Sequence, residues 1–381
     1  MTDRPYLPFG KPNLSDEEIE AVTRTLRSGW IGMGPETIAF EEELTKAVGD
    51  TPMITVSSCT AALFLALVAA GVQVGDEVIC PSLTWCSTAN AALYLGATPV
   101  FCDVDPTTFS VTPETVLAKL TPRTRAVMAV HMGGLALDVV AMRAALPETI
   151  TIVEDAAHAL GATYRDGRPV GSSGNLTCFS FYANKNLATG EGGAIATPNT
   201  EFVGRLKSLR MHGLASDAWK RFVDPRSAFR LDILELGYKF NYTDLQASLG
   251  RVQLRRQPEF AVTRLSIAKR YAEALPGIHA GIQSQAGLTD PAHARHLYQI
   301  LLPEGLTLSR DELVLKMRNE GFGASIHYTP LHWMTYYKGF ASELMETDRL
   351  ATRLLTLPIG AAMNLDDADR VLAALDKILK A

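Results

Sequence analysis

A lysine with a glycine-rich sequence behind it follows one of the apolar runs of this chain. Residues 176–182 predict a buried strand, and Lys185 comes shortly after it. Burial or a neighbouring cation would lower the pKa of its amine, and a neutral amine is a nucleophile toward aldehydes. The glycines within residues 190–193 would let the backbone approach a ligand closely. A solvated lysine in a turn would give the same local pattern, so the interpretation depends on the rest of the chain.

An acidic pair, Glu154 and Asp155, closes another predicted strand, which begins at residue 150. A carboxylate at a strand end could bind a pyridinium N–H and keep that nitrogen protonated. His158, three residues further on, could reach a neighbouring phenolate oxygen. Taken singly, the aspartate could instead cap a helix and the histidine could be a buried residue with satisfied hydrogen bonds.

Two more candidates follow strands nearer the start of the chain. Residues 57–62 join a strand to a helix, where free amides and the Thr60 hydroxyl could bind a phosphate, or could form a simple helix cap. Trp85 follows the next predicted strand, and its indole could stack on a flat aromatic ligand or lie in the core or an interface. The chain has no GxGxxG and no P-loop sequence, so neither a dinucleotide nor an ATP phosphate is indicated.

Together these residues match the needs of one cofactor. Pyridoxal 5′-phosphate requires a lysine for its Schiff base, an anion facing the ring nitrogen, a phosphate site and a stacking face. Those four features are supplied, in that order, by Lys185, Asp155, Thr60 and Trp85.

The elements that must position these residues alternate between strands and helices. Apolar segments of strand length separated by segments of helical length indicate a mainly parallel sheet covered by helices on both faces. Ligands bind such a sheet beyond the carboxyl ends of its strands, where the candidates lie. The predicted strands are residues 53–57, 77–80, 99–104, 126–131, 150–154, 177–182 and 194–197, and the predicted helices between them are residues 60–70, 88–95, 113–120 and 139–146.

The pattern changes past Pro258, where a smaller α/β domain is predicted. We therefore expect a large domain over residues 1–257 and a small C-terminal domain over residues 258–381. The predicted elements of the small domain are a long helix to residue 275, strands at 296–302 and 324–327, and helices at 310–320, 347–355 and 366–379.

Composition argues against several classes of protein. The 381-residue chain has a net charge of −5 and no basic run, so nucleic acid is not an expected partner. It has neither a signal-like start nor an apolar run of membrane-spanning length, so we expect no membrane association and a cytoplasmic location. Its five cysteines form no CxxC pair and show no metal-site spacing, which is typical of reduced, buried thiols.

A series of motifs runs through the chain in a recognisable order. They include Gly29-Trp30-Ile31, Ser58-Cys59-Thr60-Ala61-Ala62-Leu63, Glu154-Asp155-Ala156-Ala157-His158, Phe179-Ser180-Phe181 with Lys185, Gly190-Glu191-Gly192-Gly193, Met211-His212-Gly213, Asn241-Tyr242-Thr243-Asp244 and Ile326-His327-Tyr328. On these residues the chain resembles the sugar aminotransferase family (DegT/DnrJ/StrS type) of fold-type-I pyridoxal phosphate enzymes, over nearly its whole length. Within that family it is most similar to the branch containing UDP-4-amino-4-deoxy-L-arabinose–oxoglutarate aminotransferase, on residues 81–85, 154–158, 212–214 and 217–219.

The resemblance implies a role for each candidate residue in a homodimer with shared active sites. Lys185 would form the Schiff base and move a proton during the reaction, and Asp155 would pair with the ring nitrogen. The remaining implied roles are His158 near the ring hydroxyl, Trp85 stacked on the ring, Thr60, Ala61 and Ser180 on the phosphate together with Asn241 of the second subunit, and His327 facing the substrate.

The resemblance also implies a two-step transamination. Glutamate would give its amine to the cofactor, leaving pyridoxamine phosphate and 2-oxoglutarate, and a keto sugar on a nucleotide, expected to be a 4-keto sugar, would then accept the amine. Other activities on the same scaffold are amination of 3-keto sugars or keto-inositols and pyridoxamine-dependent dehydration, although the dehydratases replace the lysine. A regulatory homologue that binds the cofactor without turnover is the alternative from another class.

The substrate end of the expected site is less well defined by the sequence. Gly32 and Met33 stand where the family often has hydroxyl residues, which leaves the identity of the sugar open. A diphosphate would need cations, and those of the long segment 215–237 could bind it or could be solvated surface charges. They are Lys220, Arg221, Arg226 and Arg230.

Overall fold

The main sheet of the protein has seven strands in the described part of the chain, and it is mainly parallel. This computed structural model describes residues 6–215, 232–340 and 342–380. The strands are β1 (Met53–Val56), β2 (Glu77–Pro81), β3 (Thr98–Cys102), β4 (Thr124–Val130), β5 (Thr151–Asp155), β6 (Leu176–Ser180) and β7 (Gly193–Ala196). Their order in the sheet is β1-β7-β6-β5-β4-β2-β3.

The direction of the strands confirms the predicted sheet with one addition. Strands β2 to β6 pair in parallel, which brings their carboxyl ends to one edge of the sheet. Strand β7 is antiparallel to both of its neighbours, β6 and β1, and its direction was not predicted from the sequence. Because β7 returns antiparallel beside β6, its first residue lies next to the last residue of β6.

Helices cover this sheet, and their sequences explain where they lie. Helix α3 is apolar on all sides, and its residues 61–67 are buried, so it forms part of the core rather than the surface. The described helices of this part are α1 (Asp16–Ser28), α2 (Pro35–Ala47), α3 (Cys59–Ala69), α4 (Cys86–Leu93), α5 (Pro113–Leu117), α6 (Val139–Ala145), α7 (Thr200–Leu209) and α8 (Asp244–Arg255).

A second sheet with its own apolar core lies in the C-terminal part of the chain. Its antiparallel strands are β8 (Gln283–Ser284), β9 (Tyr298–Leu301) and β10 (Leu354–Leu357), in the order β10-β9-β8. The helices here are α9 (Gln257–Ile278), α10 (Arg310–Asn319), α11 (Met345–Ala351) and α12 (Leu365–Leu379).

Two predictions for this C-terminal part are wrong. Residues 324–327 form no strand, and only Ser325 makes an isolated bridge, to Thr356. The helix predicted over residues 347–355 ends at Ala351, and residues 354–357 form β10. The apolar residues around position 354 fit a helical spacing as well as a buried strand, and the pairing of β10 with β9, some fifty residues earlier, decides between them.

The division of the chain at residue 257 stays a prediction. Helices α8 and α9 meet at Arg256, so the proposed boundary falls at the start of α9. None of the helices in the described residues is both long enough and apolar enough to cross a membrane.

Candidate active site

A cavity of about 480 Å³ opens at the carboxyl ends of β2, β5 and β6, beside the start of α3. Segments from distant parts of the sequence meet there, as expected for the ligand site of an open parallel sheet. Most of the residues proposed from the sequence line it, namely Thr60, Trp85, Asp155, His158, Ser180, Lys185 and His327.

Lys185 reaches the cavity from the turn that follows β6. Its backbone N–H donates to the carbonyl of Tyr182 at 2.9 Å, and its Nζ lies 3.3 Å from Nε2 of His296. Burial lowers the pKa of the amine to about 8, although the neighbouring Cys59 and Asp155 oppose that shift. A lysine with such a pKa has far more neutral, nucleophilic amine near pH 7 than a surface lysine has.

Asp155 is the last residue of β5, and its carboxylate is held by groups on both sides. Oδ2 accepts a 2.8 Å hydrogen bond from Thr88 Oγ1, and Oδ1 accepts a 3.2 Å bond from the backbone N–H of Ala157. Burial raises the pKa of Asp155, while those two donors and the charge of Lys185 act in the opposite direction. A buried carboxylate of this kind is suited to a cationic N–H partner in the cavity.

His158 is a neutral ring hydrogen-bonded to a tyrosine. The backbone N–H of Gly133 donates to Nδ1 at 3.3 Å, so the ring proton lies on Nε2, which donates to the Tyr328 hydroxyl at 3.0 Å. Burial and the charge of Lys185 hold the pKa of His158 well below its usual value. The pair therefore offers polar groups without adding a charge to the site.

The start of α3 lines another part of the cavity wall. Thr60 Oγ1 lies 2.8 Å from Ser87 Oγ, and Ser180 at the end of β6 faces the same space. Ala61 does not line the cavity with a side chain, and its N–H donates to the N-cap Ser58 Oγ at 3.1 Å. A helix N-terminus with the hydroxyls of Thr60 and Ser180 beside it is a site for an anion such as a phosphate.

A glycine allows β7 to approach this helix start. A Cβ atom on Gly193 would lie 2.7 Å from the backbone N of Cys59 and 2.7 Å from the backbone O of Phe179. Those contacts involve backbone atoms that cannot move without separating β7 from the start of α3 and from its sheet neighbour β6. Gly193 is therefore required for the close approach that shapes the anion end of the cavity.

Trp85 lies at the mouth of the cavity rather than in the core. Its side chain precedes α4, is 58% exposed and has its ring centroid 5.9 Å from that of Tyr328. Of the alternatives left open by the sequence, a core tryptophan is therefore wrong.

His327 faces the cavity from the C-terminal part of the chain. Its Nδ1 lies 3.0 Å from Thr356 Oγ1, and burial, together with the charge of Lys185, lowers its pKa to about 3. The ring is packed against that of Phe9, with centroids 4.6 Å apart.

Asn241 does not line this cavity, and its Nδ2 donates to the carbonyl of Tyr242 at 3.1 Å. Its role in a partner subunit stays a prediction. The four cations considered for a diphosphate lie outside the described residues, as does the motif at 217–219.

Sequence reasoning missed three residues of the site. Thr88 binds Asp155, Tyr328 binds His158, and His296 contacts Lys185. A histidine at the start of a predicted apolar strand was the only local signal for His296, since its partner is 111 positions away. The described residues contain no cluster of histidine, cysteine and acidic side chains that could hold a metal ion.

Comparison with known proteins identifies the family of this chain. The profile of the DegT/DnrJ/EryC1/StrS aminotransferase family matches residues 12–376. The chain belongs to this family. It is therefore a transaminase that acts on a sugar, and the expected α/β fold of type I is confirmed.

Among its relatives, the spore coat polysaccharide biosynthesis protein SpsC of Bacillus subtilis is 41% identical over 382 residues, covering 98% of this chain and 97% of SpsC. The crystal structure of the aminotransferase TlmJ from Streptoalloteichus hindustanus has a TM-score of 0.90 at 33% identity, and covers 98% of this chain and 99% of TlmJ.

A putative sugar aminotransferase of Streptococcus pneumoniae, Spr1654, is similar in two cofactor states. Its PMP-form has a TM-score of 0.91 at 31% identity, and its PLP-form a TM-score of 0.89 at 30% identity. Each covers 98% of this chain and 99% of Spr1654. The fold is thus shared by family members with the cofactor in either form.

Proposed function

We propose that this protein transfers the amino group of L-glutamate to the keto group of a nucleotide-linked sugar, at C4 of that sugar. The observation that carries the proposal is the meeting of Lys185 and Asp155 in one cavity, beside the start of α3. The choice of a 4-keto sugar rests on the resemblance at residues 81–85 and 154–158.

The cavity fits pyridoxal 5′-phosphate, the cofactor of this family. The buried carboxylate of Asp155 would face the ring nitrogen, and Trp85 would cover the ring. Thr60 at the start of α3 and Ser180 at the end of β6 would hold the phosphate. Bound there, the cofactor supplies the electron sink and carries the amino group between the two half-reactions.

The side chains of the protein would place protons and charges around the bound cofactor. Lys185, with a pKa of about 8, can hold or release a proton at Nζ near neutral pH, as an acid–base group must. Asp155 in its ionised form would keep a ring nitrogen protonated. His158 and Tyr328 would form a neutral hydrogen-bonded pair beside the ring oxygen of the cofactor. Because the pair is uncharged, it would add no positive charge next to that of Lys185.

The active site is proposed to be completed by a second copy of the chain. Trp85 and Tyr182 line the cavity mouth and leave 58% and 47% of their surface exposed, which favours a covering partner. Asn241 lies outside the cavity of its own chain and would reach that of the other subunit, as the resemblance implies. The cytoplasmic location stays a prediction.

The donor half of the proposal is tested by the colour of the purified protein. Loaded with pyridoxal phosphate, it should be yellow, and L-glutamate should bleach it while 2-oxoglutarate accumulates. The Lys185→Ala variant is the control, because it should bind the cofactor without completing a turnover. A yellow protein that does not respond to glutamate would overturn the assigned donor.

The acceptor half is tested with a panel of keto compounds. Nucleotide-linked 4-keto sugars, nucleotide-linked 3-keto sugars and keto-inositols are offered to the bleached protein, and the return of the yellow colour is followed with the mass of the product. Return of colour with 4-keto sugars is expected. A response confined to 3-keto sugars or to keto-inositols would replace the 4-keto assignment.

A further inference from the structure

His296 stands beside Lys185 at the active site, at the start of the segment that leads into β9. Its Nε2 is 3.3 Å from Nζ of Lys185, and its ring centroid is 4.5 Å from that of His158. Its Nδ1 is buried and has no hydrogen-bond partner among the described residues. Leaving a buried ring nitrogen without a hydrogen bond costs free energy. With Nδ1 unpaired, the contact between Nε2 and Lys185 is the one side-chain hydrogen bond that the described structure gives this ring.

The groups that face His296 keep its ring neutral. Burial lowers its pKa far below the usual value, and four cationic or titratable neighbours act in the same direction: Lys185 after β6, His158 after β5, Arg264 on α9, and His327. His296 is therefore an imidazole with one lone pair, and not an imidazolium, throughout the physiological pH range.

The charge of Lys185 then decides which way the hydrogen bond runs. An ammonium group has three donors and no lone pair, so the charged amine can only donate to His296. Nε2 accepts that bond, and the proton of the ring lies on Nδ1. The bond stabilises the charged amine, and the nearby carboxylate of Asp155 acts in the same direction.

We propose that His296 is a positioning residue that holds the Lys185 amine against the cavity wall whenever this amine is not bonded to the cofactor. This inference rests on the proposed function, in which the lysine alternates between a bonded and a released state. A lysine side chain is flexible, and a fixed acceptor for its amine limits the directions it samples. The released amine is thereby kept facing the space where it must take up and deliver a proton.

The test compares variants that keep or remove the acceptor. His296→Gln retains an amide oxygen at about the position of Nε2, whereas His296→Phe and His296→Leu leave only apolar atoms. The cofactor-free full chain is labelled briefly with a small amine-reactive acylating reagent over a range of pH. The extent of labelling at Lys185 is read by peptide mass spectrometry, and its midpoint reports the pKa of the amine.

The native chain and His296→Gln should share one midpoint, and the two apolar variants should shift it downward by about one pH unit, because the ammonium loses its acceptor. With glutamate and cofactor, His296→Phe should lower kcat more than it changes KM. Equal midpoints in all four proteins, or a shift in His296→Gln as large as in His296→Leu, would overturn the inference.

The labelling does not depend on turnover, so the two proposals fail separately. A native chain that shows the expected midpoints but no transamination would remove the proposed function and leave the contact between His296 and Lys185 standing. Transamination with unshifted midpoints would remove the role of His296 alone.

Discussion

Thr88 donates a 2.8 Å hydrogen bond from its hydroxyl to the buried carboxylate of Asp155. Thr88 stands in the first turn of α4, and its Oγ1 also lies 2.9 Å from that of Thr84. Since burial raises the pKa of Asp155 and this donor opposes the rise, α4 helps to keep the carboxylate ionised. A residue remote from Asp155 in sequence thus adjusts the charge that we place opposite the ring nitrogen of the cofactor.

The variant Thr88→Val should weaken cofactor binding. It keeps the shape of the side chain but removes the donor, so the pKa of Asp155 should rise further. One hydrogen bond to a charged group corresponds to about a tenfold loss of affinity for pyridoxal phosphate, and the loss should grow as the pH falls. The Kd is measured by titration across pH, with Thr88→Ser as the control that keeps a hydroxyl. Equal affinities of the two variants at every pH would contradict the role of Thr88.

Removing the charge of Asp155 should weaken cofactor binding more than the Thr88→Val substitution does. In Asp155→Asn the amide is isosteric with the carboxylate but cannot form a charged hydrogen bond with the ring nitrogen. We expect cofactor binding to weaken and the glutamate half-reaction to slow, each by roughly 10- to 100-fold. Rapid-mixing absorbance measurements give the rate, and an unchanged rate would remove the assigned partner of the ring nitrogen.

The lysine of the active site should destabilise the cofactor-free fold at neutral pH. Its pKa falls from an ordinary value of 10.5 to about 8 on burial. Below pH 8 the amine is charged in the folded and unfolded states alike, and keeping it buried costs up to about 3 kcal/mol. Between pH 8 and 10.5 the unfolded chain binds more protons, so the free energy of unfolding rises with pH in that window.

The variant Lys185→Met should therefore be more stable than the native chain at neutral pH and lose all transaminase activity. Its advantage in the free energy of unfolding, about 1 to 3 kcal/mol at pH 7, should shrink as the pH rises toward 10. Urea unfolding of the cofactor-free proteins at the two pH values measures it. If Lys185→Met were less stable than the native chain at pH 7, the buried charged amine would not destabilise the fold.

Gly193→Ala should damage the anion end of the cavity. The added methyl group would meet the backbone of Cys59 and of Phe179 at 2.7 Å, so β7 and the start of α3 would have to separate. We expect a loss of pyridoxal phosphate affinity of about tenfold or more, together with a lower Tm.

Gly204→Ala is the matched control for that substitution. Gly204 lies within α7 and has no atom within 4 Å of an added Cβ, so alanine should leave binding unchanged and stabilise the helix by up to about 1 kcal/mol. Similar behaviour of the two alanine variants would mean that the close approach at Gly193 does not matter.

The local sequence was sufficient to place the functional residues that lie directly beside a strand or helix. Asp155 ends β5, Lys185 follows β6, and Thr60 stands in the first turn of α3, so each could be placed from the apolar run beside it. Parallel strands bring such positions to the same edge of a sheet, which is why residues from separate segments could be expected in one cavity.

The same local rules failed where a partner far along the chain decides the structure. Residues 354–357 have an apolar pattern compatible with a helix, and only pairing with β9 makes them a strand. Likewise, nothing beside β7 in the sequence indicates that it runs antiparallel to β6 and β1.

The sequence by itself determined the alternating fold, the lysine and the acid at neighbouring strand ends, and the family, because these depend on short patterns of residue type. Only the tertiary structure decided that Thr88, Tyr328 and His296 complete the site and that Trp85 lies at its mouth. The physical reason is that protonation state and orientation depend on burial and on neighbours in space. Thr88 reaches Asp155 when α4 packs beside β5, and Tyr328 and His296 reach His158 and Lys185 when the C-terminal part of the chain packs against the carboxyl edge of the sheet.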